Sequence, residues 1–162
     1  MADLLVVADS GPLIALARIK QLPLLPKLFK EIIVPNAVWD EVTVKGKGSP
    51  GANEVKEAKW IKIKSVDSSS VEHVALLLGQ GEAEAIVLAE SLPDSLVLLD
   101  DARARRVAER FGIKHMGTLG VLIMAKKQGF ISEVRTHLES LQLNGIFIKQ
   151  TLMDSVLKKV GE

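Results

Sequence analysis

Apolar positions in this chain follow two rhythms, short unbroken runs and longer stretches spaced by three and four residues. Leu4 to Ala8 is an unbroken run ending in Asp9-Ser10-Gly11-Pro12, the pattern of a buried strand entering a helix N-terminus. A run without polar interruption marks a parallel strand covered on both faces. Helix is expected over Leu13 to Ala17 and from about Leu22 to Lys30, with Pro23 and Pro26 near the start of the second. Ile32 to Val34 reads as a short strand closed by Pro35, and Asn36 as the N-cap of a segment Ala37 to Val42 that turns Val38, Trp39 and Val42 inward. Thr43 to Asn53 carries Gly46, Gly48, Pro50 and Gly51 and is expected to be a loop exposing Lys45 and Lys47.

A short helix is expected at Glu54 to Lys59, followed by Ile61 to Lys64, which alternates as an edge strand with one wet face does. Val71 to Leu78 predicts a helix stopped by Gly79-Gln80-Gly81, and a further helix starts at about Glu82 and ends near Pro93. Leu96 to Leu99 is a second wholly apolar strand, and like the first it ends in acid, at Asp100 and Asp101. Helix follows from Ala102 to Phe111, closed by Gly112, then a strand over Ile113 to Met116 and a helix from Thr118 to Gln128 stopped by Gly129. Ser132 to Leu141 and Thr151 to Val160 predict two last helices flanking Ile146-Phe147-Ile148. Strand and helix alternate throughout without repeat or linker. The expected fold is therefore α/β, a three-layer α/β/α sandwich with a mainly parallel central sheet, built as a single domain over 1–162.

Composition narrows the chemistry. With 162 residues, 48% of them hydrophobic, the chain can fill a substantial core. Its 21 Lys and Arg against 20 Asp and Glu leave a net charge of +1, so any electrostatic signal is local. The absence of cysteine removes disulfides, thiolate metal sites and thiol nucleophiles, and suits a cytoplasmic address. The opening residues lack a basic leader and meet Asp9 early, and no apolar run reaches the ~18 residues of a membrane span, so no membrane association is expected.

Parallel sheets build sites beyond the carboxyl ends of their strands, where Asp9 and the pair Asp100 and Asp101 are expected to meet. An Asp in that place serves equally well as the N-cap of the next helix, although Ser10 can cap in place of Asp9. Glu41 falls at the border of the buried face of its helix, and Glu82 opens a helix of mostly apolar residues, where the helix dipole favours a carboxylate. Each of these is explained as well by a solvated or N-terminal charge. Glu84, two residues on, faces elsewhere and is the weaker candidate.

Charge distribution joins these acids. Glu82 to Asp101 holds six acids and no Lys or Arg, whereas Ala102 to Gln128 sets seven cations against Glu109 alone. Crowded carboxylates repel and raise one another's pKa unless a cation relieves them. Ligands that are all oxygen, with no Cys and no clustered His, indicate Mg²⁺ or Mn²⁺ rather than zinc. Arg103, Arg106 and Arg110 share one helix side by their three- and four-residue spacing, which suits a polyanionic substrate as well as it suits a solvated face. His73, His115 and His137 are too scattered to form a catalytic set.

At these residues the sequence resembles the PIN-domain family. The resemblance lies in Asp-Ser-Gly-Pro-Leu-Ile at Asp9 to Ile14, in Val34-Pro35 leading to Glu41, in the helix start from Leu78 to Ile86, and in Leu-Leu-Asp-Asp-Ala-Arg at Leu98 to Arg103. It continues through Gly117-Thr118-Leu119-Gly120 and covers most of residues 4 to 130. The resemblance implies an acidic pocket of Asp9, Glu41, Glu82 and Asp100 or Asp101 that binds Mg²⁺ or Mn²⁺ and hydrolyses single-stranded RNA. It places Ser10 beside a carboxylate or metal water. It also implies a toxin role with an antitoxin partner, and a homodimer to which the apolar stretch from Ile146 to Val160 contributes, unless that stretch completes the core.

Two other strand-end Asp chemistries fit less well. A haloacid-dehalogenase phosphatase wants a second Asp where Gly11 stands, and a response-regulator receiver has its acidic pair after the first strand, not after a late one. A different class of rival is a PIN-like module that keeps the acids and binds RNA or protein with little or no turnover.

Overall fold

Five short strands form one sheet in the computed structural model, which describes residues 3–162; Met1 and Ala2, part of the opening read for a leader, lie outside the described residues. In chain order the elements are β1 (Leu5–Ala8), α1 (Ser10–Arg18), α2 (Leu24–Leu28), β2 (Glu31–Pro35), α3 (Asn36–Asp40) running on into a π-helical turn (Glu41–Lys45), α4 (Ala52–Glu57) and β3 (Ile61–Lys64). There follow α5 (Ser68–Ala75), α6 (Gln80–Ser91), β4 (Leu96–Leu98), α7 (Ala102–Arg110), β5 (Lys114–Met116), α8 (Thr118–Lys127), α9 (Arg135–Leu143) and α10 (Gln150–Lys159). The strands lie in the order β3-β2-β1-β4-β5, and each neighbouring pair is parallel.

The unbroken apolar runs are explained by two cores, one on each face of the sheet. Val6, Ala8, Ile32, Val34, Leu96 and Leu98 point to one side, against Leu16 of α1, Leu25 of α2, Leu122 of α8, Leu138 of α9 and Val156 of α10. Val7, Ile33, Val97 and Leu99 point to the other, against Val74 of α5, Ile86 of α6 and Ala104 of α7. Alternate residues of one strand thus feed different layers, and both must be apolar. Among the described residues, no helix is long and apolar enough to cross a membrane.

Several element boundaries depart from the sequence pattern. The helix expected over Leu22 to Lys30 shrinks to Leu24–Leu28. Asn36 does not cap α3; its side chain donates to Ser65 Oγ at 2.9 Å, and the cap comes from a distant helix, described below. The stretch expected as loop from Thr43 begins as the π-helical turn, with Thr43 Oγ1 donating to the Trp39 carbonyl at 2.7 Å. Gly46 closes that turn where a Cβ would meet the Val42 carbonyl oxygen at 2.6 Å, and Lys45 and Lys47 are exposed as expected. Asp67, whose side chain accepts from Ser69 N, starts α5 three residues ahead of the expected Val71. β3 is an edge strand, but Ile63 is 47% exposed beside Lys62 and Lys64, so only Ile61 serves the core. Ile148, Met153, Val156 and Leu157 complete the core, whereas Phe147 and Leu152 point outward.

Candidate active site

Chain order and strand order diverge at the centre of the sheet. From β1 the chain builds outward through β2 and β3, then returns across to lay β4 on the other side of β1. The segments leaving β1 and β4 therefore part company, and the crevice between them is where open parallel sheets place their sites. Asp9 follows β1, and Asp100 and Asp101 follow β4; the Asp9 N–H donates to the Leu98 carbonyl at 3.1 Å, which ties the two strand exits together.

A cavity of about 380 Å³ opens there, lined by Asp9, Ser10, Gly11, Glu41, Gly79, Gly81, Glu82, Asp100 and Asp101. All five acids singled out in the sequence, and Ser10 with them, share this one concavity. None of the five forms an ion pair; among the described residues the ion pairs join Lys62 to Glu31, His115 to Glu109 and Lys126 to Glu162. His73, His115 and His137 line no part of it.

Each acid is positioned by a different device. Asp9 occupies the N-cap position of α1 yet makes no capping bond through its side chain, and its Oδ1 is buried without a hydrogen-bond partner. Burial pushes its carboxyl up from the ordinary range to about 7; the Ser10 backbone N–H pulls the other way, and the charges of Glu82, Glu41 and Asp100 add to the rise. Glu41 starts the π-helical turn, and its Oε1 accepts from the Gly81 N–H at 3.2 Å. Asp100 is clamped by Thr118, whose backbone N–H and hydroxyl donate to its two oxygens at 2.7 and 2.6 Å. Asp101 performs the structural role anticipated for a strand-end acid, capping α7 by accepting from Ala104 N at 3.1 Å. Glu82 lies beside Asp101, and its carboxyl is raised first by burial and then by that neighbouring charge, with the Gly79 N–H acting against the rise.

Four glycines allow the acids this close to backbone. A Cβ on Gly81 would lie 2.5 Å from Glu41 Oε1, and one on Gly117 2.9 Å from Asp100 Oδ1. Cβ atoms on Gly11 and Gly79 would each stand 3.8 Å from a carboxylate oxygen, of Asp100 and Glu82 respectively. Gly81 lies inside the first turn of α6, whereas the sequence pattern placed it before the helix.

Glu84, the weaker candidate, is not in the cavity and has a definite task. Its Oε1 accepts from the Ala37 N–H at 3.0 Å and its Oε2 from Gln80 Nε2 at 2.9 Å, so a residue of α6 caps α3, the element that carries Glu41. Thr118 and Arg105 stand at Asp100 although the sequence pattern assigned neither a role there. A Gly-Thr pair at the end of a strand was the one available signal for Thr118. Of the three candidate arginines, Arg103 shares a cavity with Glu82 and Asp101, while Arg106 and Arg110 are exposed on α7 outside that lining. Arg105, not singled out, is the one that reaches toward Asp100, with Nη1 3.6 Å from where a Gly117 Cβ would stand.

A family model described as a PIN domain matches residues 5–162. The chain belongs to the PIN-domain family. PIN domains are generally nucleases, and they typically use divalent metals. This PIN domain is similar in structure to a PilT N-terminus domain protein from the hyperthermophilic archaeon Sulfolobus solfataricus, with a TM-score of 0.51 and 15% identity over 73% of this chain and 90% of that one. At that identity the likeness speaks for the fold. Comparison with curated proteins finds no match.

The donor set of this PIN domain fits a hard divalent cation. Every cavity side chain that can ligate offers oxygen, Asp9 Oδ1 has no other partner, and no Lys or Arg already neutralises the group. Among the described residues, no three Asp, Glu or His side chains converge as a ready coordination shell.

Proposed function

We propose that this PIN domain is a metal-dependent endoribonuclease that hydrolyses phosphodiester bonds in single-stranded RNA. The observation that carries this reading is that five carboxylates, none of them in an ion pair, line one crevice at the sheet's switch point, with Asp9 Oδ1 buried and unpartnered. Asp9, Glu41, Glu82 and Asp100 would hold Mg²⁺ or Mn²⁺, with Asp101 at the edge beside Glu82. A divalent ion bound there supplies charge neutralisation at the phosphoryl oxygens and an acidified water.

The chain's own residues supply the rest. Thr118 fixes the Asp100 carboxylate and the Gly81 N–H fixes that of Glu41, so two of the ligands are oriented before any ion arrives. Arg103, on the wall next to Glu82 and Asp101, is placed to meet a phosphate approaching the acids. In hydrolysis the oxygen of water bonds to phosphorus, the P–O bond to the leaving sugar oxygen breaks, and that oxygen takes a proton. No protein nucleophile is required.

Incubating the purified protein with mixed single-stranded RNA, with and without Mn²⁺, tests the reading. Cleavage is expected only with the metal, and Asp9→Asn reduces it by about a hundredfold or more. Cleavage that persists in Asp9→Asn points to a contaminating nuclease and removes the support. A toxin role is read separately, as growth arrest on expression that Asp9→Asn relieves.

The second reading, a module that binds RNA or protein without turnover, draws on the lack of a ready coordination shell among the described residues. RNA binding unchanged in Asp9→Asn, with no cleavage by either protein, decides for it.

A further inference from the structure

A second groove meets the acid crevice at Asp100. It encloses about 560 Å³ between α8 and the segment joining α9 to α10, and its lining includes Phe147, Leu152, Leu119, Arg105 and Lys149, with Asp100 as the acid it holds in common with the crevice. Phe147 is 84% exposed, although it lies next to Ile148, which is 7% exposed and anchored in the core. A firmly held backbone thus presents an aromatic ring to solvent. Among the described residues neither Arg105 nor Lys149 is in an ion pair, so both bring positive charge to the groove, Arg105 on the side of Asp100 and Lys149 away from it.

We propose that this groove is a binding subsite for single-stranded RNA, in which a base stacks on Phe147 and the flanking phosphates meet Arg105 and Lys149. The inference rests on the reading of the chain as a ribonuclease and extends it to how the strand is held. The combination of an open aromatic face, an apolar floor and two cations that form no ion pair among the described residues matches a nucleotide, which is flat and apolar on its base and anionic along its backbone. Continuity supports RNA as well: the groove and the acid crevice share Asp100, and a Cβ on Gly117 of the groove lining would stand 2.9 Å from Asp100 Oδ1, so a strand held in the groove lies next to the acids. Asp100 at the junction repels phosphate unless a cation is present, which directs the tightest contact with the acids to the metal-loaded protein.

The test is binding of a short fluorescent polyuridine RNA in EDTA, where cleavage is silent, followed by anisotropy. Phe147→Ala and Phe147→Leu each weaken binding about tenfold or more, whereas Phe147→Trp retains it, because the ring and not its apolarity is what the base requires. Lys149→Ala lowers affinity and makes it less dependent on salt. If the wild type binds the RNA and both Phe147→Ala and Phe147→Leu bind it equally well, the subsite is refuted while the ribonuclease reading stands. If the wild type neither binds nor cleaves RNA, the ribonuclease reading fails and this inference goes with it. A wild-type dimer in sedimentation that Phe147→Ala converts to monomer, with RNA affinity unchanged, assigns the groove to a second copy of the chain and likewise overturns the proposal.

Discussion

Gly81 illustrates how closely backbone and acid approach in this crevice. In the first turn of a helix, alanine is ordinarily preferred to glycine by up to about 1 kcal/mol. Here the added methyl would stand 2.5 Å from Glu41 Oε1 and 2.9 Å from its Cδ, so the carboxylate that accepts the Gly81 N–H must leave. Gly81→Ala is expected to keep or slightly raise thermal stability while lowering Mn²⁺-dependent cleavage at least about tenfold, a split that unfolding and rate measurements on one sample resolve. Asp9 likewise gives up stability at neutral pH for its place in the crevice. Its carboxyl titrates at about 7 in the folded protein against 3.8 for an ordinary Asp, so between those values the folded state holds a proton that the unfolded chain has released. Stability of the metal-free protein is thus fully present below about pH 4 as far as Asp9 is concerned, and is lost as pH rises through about 7. Urea midpoints at pH 5 and pH 8 are expected to show that fall, and Asp9→Asn to flatten it.

The helix α3 and its π-helical turn form the element on which Glu41 depends, and their position is set from outside. The Ala37 N–H, one of the donors an isolated helix start leaves unsatisfied, is met by Glu84 of α6 at 3.0 Å. Glu84→Ala removes that cap at a cost of about 1 kcal/mol and loosens Glu41, whereas Glu84→Gln keeps an acceptor and most of the stability. Denaturation and Mn²⁺ titration of the two variants distinguish a cap from a ligand: a cap is rescued by Gln, and a ligand is not. Asn36 is the local candidate for this role, because Asn before an apolar segment is a common start signal. Ser65 engages Asn36 instead, and no local pattern reports a partner 29 residues away. The π-helical turn was hidden for a similar reason, since its glycine and lysines read as loop until packing against α1 and α4 holds them in a coil.

Across the whole molecule, two ends of the chain's electrostatics pull stability in opposite directions with pH. Glu162 accepts from Lys126 Nζ at 2.8 Å and from the backbone N–H groups of Val134 and Arg135 at 2.6 and 3.0 Å, which starts α9 at Arg135 and not at Ser132. Burial alone would push Glu162 up, but these donors outweigh it and hold it at about 2. A carboxyl lowered in the folded state stabilises above its ordinary value and loses that contribution as pH falls through about 2. Acid unfolding monitored by circular dichroism is expected to begin at higher pH in Glu162→Gln than in the wild type. The wild type without metal therefore loses Asp9's share of stability toward neutral pH and Glu162's share in acid.

Local sequence carried the layers and the acids. Unbroken apolar runs at Leu4 to Ala8 and Leu96 to Leu99 require burial on two faces, and an acid directly after each can only emerge at a strand end, so the sandwich and the places of Asp9, Asp100 and Asp101 followed from neighbouring residues. Which carboxylates share a crevice, and what each does there, depended on contacts between segments far apart. Asp100 is clamped by Thr118, Asp101 is spent partly on α7, Glu84 serves a different helix from its own, and Arg105 rather than Arg106 or Arg110 faces Asp100. Side chains of the same type differ in role because hydrogen-bond partners and burial are properties of the assembled layers, and a chain order of residues does not contain them.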